Sequence, residues 1–124
     1  MERKVISLRK IIKTIKGTLK YNDNGHYEIH TSKEKFNLSK LLDKIYYSPK
    51  SHYINLCIMK GCKVIFNEEG GLYKRIDSDG IISYHILGNN LEKKLFDNTE
   101  NNLEFTLYVE TMGGRDYEQF YTAL

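Results

Sequence analysis

The N-terminal region places apolar and basic residues at helical spacing. Positions three and four residues apart are apolar on one side and basic on the other: Val5, Leu8, Ile12, Ile15 and Leu19 against Arg9, Lys13, Lys16 and Lys20. This spacing is typical of an amphipathic helix. Gly17 fits the end of such a helix, because glycine adopts the left-handed conformation at no steric cost. The pattern therefore predicts a basic amphipathic helix from about Lys4 to Lys16.

The pattern then changes to the period of a strand. Leu19 and Tyr21, and then Tyr27, Ile29 and Thr31, alternate with polar residues on either side of Asn22-Asp23-Asn24-Gly25. Asn and Gly tolerate the positive φ of a tight turn, so a hairpin is predicted here. A short helix follows, with Asn37 as its cap, Pro49 beyond its end and apolar residues at helical spacing: Leu38, Leu41, Leu42, Ile45 and Tyr46.

The middle of the chain is rich in β-branched and aromatic residues, which favour strands. Two strand pairs are predicted: Tyr53–Met59 with Cys62–Phe66 about Lys60-Gly61, and Leu72–Ile76 with Ile81–Leu87 about Asp77-Ser78-Asp79-Gly80. The first pair is apolar on both faces, which indicates the interior of a sheet. The second turn is built from residues whose side chains bond their own backbone.

Three further elements are predicted toward the end of the chain. Asn89 or Asn90 caps a short helix that runs through Leu91, Leu95 and Phe96. Residues 103–109 alternate apolar and polar side chains, which predicts a strand with one buried face. After Gly113-Gly114, helical spacing predicts a short amphipathic helix through Tyr117, Phe120, Tyr121 and Leu124.

These elements predict a single α+β domain over residues 1–124. The sheet is expected to be twisted, mostly antiparallel and of about seven strands. The basic N-terminal helix, two short internal helices and the short C-terminal helix are expected to cover one face or one end of it. A chain of 124 residues suits one hydrophobic core.

Composition gives expectations about cellular setting. The chain has no run of 18 apolar residues and its N-terminus lacks the pattern of a secretory signal, so a cytoplasmic protein is expected. Cys57 and Cys62 are then expected to be reduced thiols packed in the core. Fifteen Lys against four Arg, with ten Asn and ten Tyr, is the residue usage of AT-rich coding DNA. We therefore expect an accessory gene of a phage, a plasmid or a low-GC bacterium.

Positive charge is concentrated in the first part of the chain. Residues 1–50 hold 12 Lys or Arg against 5 Asp or Glu, and residues 51–124 hold 7 against 11, for a formal net charge of +3. Four basic residues of the predicted helix suit phosphate contacts: Arg9, Lys13, Lys16 and Lys20. The competing interpretation is a lysine-rich face that only solvates a helix. The chain has no helix-turn-helix, zinc-finger spacing or RNP-like segment.

Metal binding and catalysis have little support in the sequence. His26, Glu28 and His30 alternate as strand residues of one face do, which allows a metal site only if further ligands join them. No motif of a serine hydrolase, phosphate loop or zinc protease is present, although spacing cannot detect a triad assembled from distant residues. The prediction is a protein without metal or cofactor that is not an enzyme.

Aromatic residues cluster at the C-terminus. Tyr108, Tyr117, Phe120 and Tyr121 combine apolar area with, in the tyrosines, a polar group, which is typical of interfaces. Arg115 beside the glycine pair is placed to hold an anion or a carboxylate. The predicted helix docks either on its own sheet or, by swapping at Gly113-Gly114, on another subunit. A homo-oligomer is therefore expected.

The sequence as a whole favours function by binding. We expect a non-enzymatic protein that inhibits or sequesters a host component, either a protein or an anionic ligand. The predicted binding residues are Arg9, Lys13, Lys16, Lys20, Tyr108, Arg115, Tyr117, Phe120 and Tyr121. The alternative is a nucleic-acid or nucleotide binder whose basic helix contacts phosphates and whose tyrosines stack on bases. An enzyme that uses a metal at His26, Glu28 and His30 ranks last.

Overall fold

The computed structural model describes residues 9–48, 53–96 and 102–112. These residues form eight strands and two helices: β1 Arg9–Tyr21, β2 Tyr27–His30, β3 Lys35–Asn37, α1 Leu38–Tyr46, β4 Tyr53–Lys60, β5 Lys63–Ile76, β6 Ile82–Ile86, β7 Asn89–Asn90, α2 Leu91–Phe96 and β8 Leu103–Met112. The α+β class is confirmed. Neither helix in this part of the chain has the length and apolarity that crossing a bilayer requires.

All eight strands belong to one sheet, in the order β3-β2-β1-β8-β4-β5-β6-β7, and neighbours are antiparallel. The first half of the chain, β1 to α1, forms one side of the sheet, and β4 to α2 forms the other. Strand β8 lies between β1 and β4 and joins the two halves. The predicted interior pair is confirmed for β4, which has β8 on one side and β5 on the other. It is not confirmed for residues 63–66 of β5, whose described pairing is with β4, because β6 pairs with Leu72–Ile76.

The two faces of the sheet differ in polarity. Residues directly opposite one another on paired strands share a face. Ile15, Leu107 and Leu56 form such a row on the inner face and are buried. The next row, which includes Lys16, Thr106 and Cys57, belongs to the outer face. Both helices direct their buried residues into the same core as the inner face: Leu38, Leu41, Leu42 and Ile45 from α1, and Leu91 and Leu95 from α2.

The predicted N-terminal helix is wrong for residues 9–16, which belong to β1. Strand β1 pairs with β8 over almost its whole length, and a β-bulge interrupts the register between Ile11 and Lys13. The bulge adds one residue on β1, so apolar positions three residues apart no longer indicate a helix. The part of the predicted helix that precedes Arg9 lies outside the described residues.

Gly17 does not end a helix but allows two strands to approach. A Cβ atom at this position would lie 2.4 Å from the backbone carbonyl oxygen of His30 on β2. That distance is far inside van der Waals contact. Glycine is therefore required by space at the β1–β2 pairing and not by a positive φ.

The strand count differs from the prediction for two reasons. The predicted strands Cys62–Phe66 and Leu72–Ile76 are parts of one long strand, β5, which continues through Gly70 and Gly71. The short edge strands β3 and β7 were not predicted. Short edge strands limit pairing with other chains.

Local signals for caps and turns are confirmed. Asn37 accepts a hydrogen bond from the Lys40 N–H (3.0 Å) and caps α1, and Asn90 accepts one from the Lys93 N–H (3.1 Å). In the β5–β6 turn the Asp77 carboxylate accepts from Asp79 N–H (2.8 Å). The expectation of core cysteines is wrong: Cys62 lies in the exposed β4–β5 turn, and Cys57 is half-buried on the outer face.

Each helix is held by a tyrosine from the opposite half of the sheet. Tyr27 of β2 donates its hydroxyl hydrogen to the Leu95 carbonyl of α2 (3.3 Å). Tyr84 of β6 is hydrogen bonded to Ser39 and to Asp43, both on α1. These contacts bring the β1–β2 hairpin close to β6 and α2. The space left between them is the candidate site.

Candidate functional site

The site is a pocket between the β1–β2 turn on one side and β6 with α2 on the other, which we call the hairpin pocket. Its volume is about 610 Å³. Ligand pockets in proteins usually measure about 300–1,000 Å³ and are mostly apolar with a few polar groups. The hairpin pocket has that character: its apolar residues are Tyr21, Tyr27, Ile81, Ile82 and Phe96, and its polar residues include Ser39, Ser83, Asn90 and Glu92.

The apolar wall is unusually accessible for side chains of this size. Tyr21 is 52% exposed, Ile81 63% and Phe96 78%. Tyr21 and Tyr27 are paired across the hairpin, with their ring centroids 4.9 Å apart in an edge-to-face arrangement. Apolar residues exposed together, and not singly, mark sites that bind another molecule. The wall is therefore the strongest indication of function in the described structure.

Glu92 also lines the pocket, and its carboxyl is hydrogen bonded to the backbone of β6. Its Oε2 accepts the backbone N–H of Tyr84 on β6 (2.9 Å). Strand β7 pairs with β6 only at His85 and Ile86. The Tyr84 N–H lies outside that pairing and is hydrogen bonded to Glu92 instead. Burial raises the pKa of the Glu92 carboxyl above its usual value, and its hydrogen bonds with backbone N–H groups offset this only in part.

A polar cavity adjoins the hairpin pocket at the start of α2. It has a volume of about 600 Å³ and is lined by Gly88, Asn89, Asn90, Lys93 and Lys94. Asn90 and Lys93 line both spaces. The hairpin pocket therefore has an apolar side and, next to it, a side with lysine and amide groups.

Ser83 and His85 are the pair of residues most suggestive of catalysis. Ser83 Oγ lies 2.9 Å from His85 Nε2, the separation expected of a nucleophile and its base. Burial and the nearby Arg75 lower the pKa of His85, which favours the neutral ring. A catalytic pair also needs a group that orients the base. Among the described residues, no carboxylate is hydrogen bonded to the His85 ring.

The predicted basic face is not formed by β1. Lys13 lies opposite Val109, so it belongs to the inner face, whereas Lys16 and Lys20 belong to the outer face. The odd spacing from 13 to 16 puts residues on one side of a helix but on opposite sides of a strand. Lys13 Nζ is 5.4 Å from the centre of the Phe36 ring. Lys16 Nζ is 5.9 Å from the centre of the Tyr108 ring, and on this outer face Lys16 is exposed and Tyr108 is half-buried.

The other predicted binding residues are outside the part of the chain whose side chains are described: Arg9, Arg115, Tyr117, Phe120 and Tyr121. The predicted C-terminal helix and the exchange of that helix between subunits lie there too. Their roles stay predictions.

The histidine cluster is divided between two places. Glu28 and His30 share the outer face, with His30 Nε2 3.3 Å from Glu28 Oε1. His26 precedes β2 and lines the hairpin pocket. Within residues 9–48, 53–96 and 102–112, no three His, Cys, Asp or Glu side chains are arranged to hold a metal ion.

Sequence reasoning placed the pocket residues correctly in turns, strands and caps but did not recognise a site. The pocket combines segments around residues 21–27, 39, 81–83 and 90–96. A partial signal was present, because Tyr21, Tyr27 and Ile81 are large apolar residues beside polar turns.

Comparison with known proteins does not identify the chain: no family model, curated protein or solved structure matches it. The geometry of the hairpin pocket is therefore the basis for any functional conclusion.

Proposed function

We propose that this is a non-enzymatic binding protein whose ligand occupies the hairpin pocket and is sequestered there. The observation that carries the proposal is the accessible apolar wall around a space of about 610 Å³. A ligand of drug size with an apolar body would remove that wall from water, which favours binding by about 25 cal/mol for each Å² buried.

The pocket is held open by contacts on both of its sides. The Tyr27 hydroxyl fixes α2 relative to the hairpin, and Asn90 caps the same helix. Tyr84 fixes the start of α1, where Ser39 lines the pocket. Walls that are positioned before the ligand arrives reduce the entropic cost of binding.

The alternative, a nucleic-acid or nucleotide binder, has less support. Its basic helix is not formed by residues 9–16, and the lysines of β1 lie on both faces. On the outer face, Lys20 lies directly opposite Glu28 and Thr18 opposite Glu104, so positive charge is not concentrated. We therefore favour the pocket. That the ligand is a host component, as expected for a phage, plasmid or bacterial accessory protein, stays a prediction from composition.

Binding of Nile red, an uncharged apolar dye, tests the proposal. We expect a saturable rise in fluorescence with one dye per chain, because the dye is small enough for one pocket of this size. Ile82→Ser and Phe96→Ser should each weaken binding severalfold. Ile82 is 45% exposed and Phe96 78%, so both variants should fold.

Ile11→Ser is the matched control, because Ile11 is 57% exposed and does not line the hairpin pocket. It should bind the dye as the wild type does. Failure of the wild type to bind, or equal loss in Ile11→Ser and Ile82→Ser, would contradict the proposed function.

A further inference from the structure

The hairpin pocket and the polar cavity beside it meet at the first turn of α2. Asn90 and Lys93 line both spaces, so a ligand in the pocket that extends toward α2 reaches these two side chains. The Asn90 side-chain oxygen is taken up by the Lys93 N–H. The side-chain NH₂ group of Asn90 is therefore the part of the amide that can donate a hydrogen bond to a ligand.

Charge at this junction comes from Lys93. Among the described residues, the Lys93 ammonium has no ion-pair partner. The neighbouring Glu92 carboxyl instead accepts hydrogen bonds from the Tyr84 N–H and from its own backbone N–H. An ammonium group and an amide NH₂ group both donate hydrogen bonds, and a carboxylate accepts from both.

We propose that the ligand of the hairpin pocket is an amphipathic carboxylate, with its apolar body against Tyr21 and Ile82 and its acidic group at Lys93 and Asn90. This inference rests on the proposed function and narrows it to one class of small molecule. The junction that the two spaces share offers one ammonium group and one amide NH₂ group, which suit a singly charged carboxylate.

Three probes that differ only in the terminal group test the charge preference: 4-phenylbutanoate, 4-phenylbutan-1-ol and 4-phenylbutan-1-amine. Each is titrated into the purified full chain at pH 7 and followed by NMR. The carboxylate should bind about fivefold more tightly than the alcohol, the effect expected of a partly exposed ion pair. The amine should bind most weakly.

Two lysine variants locate the effect. Lys93→Gln should abolish the preference for the carboxylate over the alcohol. Lys94→Gln is the matched control, because Lys94 lines the polar cavity but not the hairpin pocket. It should keep the preference.

Equal affinities for the three probes, tightest binding of the amine, or a preference that survives Lys93→Gln would overturn the carboxylate inference. The same holds if none of the three binds. If Nile red binds with the expected variant pattern in any of these cases, the proposed function stands. If Nile red also fails to bind, both proposals are wrong.

Discussion

Tyr27 and Tyr84 make equivalent contacts in opposite directions across the sheet. Tyr27, in the first half of the chain, is hydrogen bonded to α2 of the second half through the Leu95 carbonyl. Tyr84, in the second half, is hydrogen bonded to α1 of the first half through Ser39 and Asp43. Each half therefore holds the helix of the other, and the hairpin pocket lies between the two contacts.

Removing the Tyr84 hydroxyl tests this arrangement. Tyr84 is 2% exposed, so Tyr84→Phe deletes the hydrogen bonds without changing the packing of the ring. Lys74 still contacts Asp43 (2.9 Å), but the Ser39 carbonyl loses a partner. We expect the free energy of unfolding, measured in urea, to fall by about 1–3 kcal/mol.

Tyr73→Phe is the control, because Tyr73 is 61% exposed. It should change the free energy of unfolding by less than about 0.5 kcal/mol. Equal effects of the two substitutions would contradict the role of Tyr84.

Glu92 should make stability depend on pH in a defined direction. Burial raises the folded-state pKa of Glu92 above its unfolded value near 4.5, so the fold favours the protonated form. Stability is therefore lost as pH rises from the unfolded pKa through the folded pKa. Glu92→Gln keeps an oxygen for the Tyr84 N–H but does not titrate. The variant should gain stability relative to wild type between pH 4 and pH 7 in urea unfolding.

The difference between the two unfolding curves isolates Glu92, because the other groups titrate in both proteins. Glu92→Ala serves as the contrast: it leaves the Tyr84 N–H without this acceptor and should be destabilised by about 1–3 kcal/mol even at pH 4. Parallel pH profiles for wild type and Glu92→Gln would show that burial does not perturb this carboxyl.

The two glycines Gly17 and Gly71 should respond in opposite ways to a methyl group. Gly17→Ala places Cβ 2.4 Å from the His30 carbonyl oxygen, so the β1–β2 pairing must shift, at a cost of about 1–3 kcal/mol or more. Gly71→Ala meets only the Tyr73 ring at 3.5 Å, an ordinary contact. Its stability should be unchanged or higher by up to about 1 kcal/mol, because alanine restricts the unfolded chain. Thermal unfolding followed by circular dichroism compares them, and a Gly17→Ala protein as stable as Gly71→Ala would refute the close approach.

The Ser83–His85 pair should not act as an acylating nucleophile and base. With p-nitrophenyl acetate, an active Ser83 would take the acetyl group on Oγ and release p-nitrophenolate in a burst equal to the protein concentration. We expect no such burst, and the same slow release from wild type and Ser83→Ala. A stoichiometric burst that Ser83→Ala lacks would show that Ser83 is an acylating nucleophile and would contradict this prediction.

Local chemistry accounts for what the sequence predicted correctly. Asn37 and Asn90 cap helices, and Asp77 folds a turn, through contacts with residues two to four positions away. Such signals are complete within a short window of sequence. The strand alternation from Leu103 to Val109 was equally clear, because every second residue in this range is buried.

The errors arose where distant pairing decided the structure. Whether residues 9–16 form a helix or a strand depends on β8, which lies roughly a hundred residues further along the chain. Their apolar spacing suited a helix, and the bulge at Ile12 that reconciles it with a strand has no local signature. The hairpin pocket was missed for the same reason, because it too depends on residues that are distant in sequence. Tyr21, Ile82 and Phe96 become neighbours only when each half of the sheet contacts the helix of the other half.

The most direct test of the account is a ¹H–¹⁵N NMR titration of the full chain with 4-phenylbutanoate. The predicted result is a set of saturable shifts confined to the walls of the hairpin pocket, around Gly25–Tyr27, Ile81–Ser83 and Asn90–Phe96. Outer-face residues such as Cys57 and Tyr108 should not shift. Shifts centred on the outer face would contradict the claim that this pocket is the binding site, whereas the absence of any saturable shift would contradict the carboxylate inference.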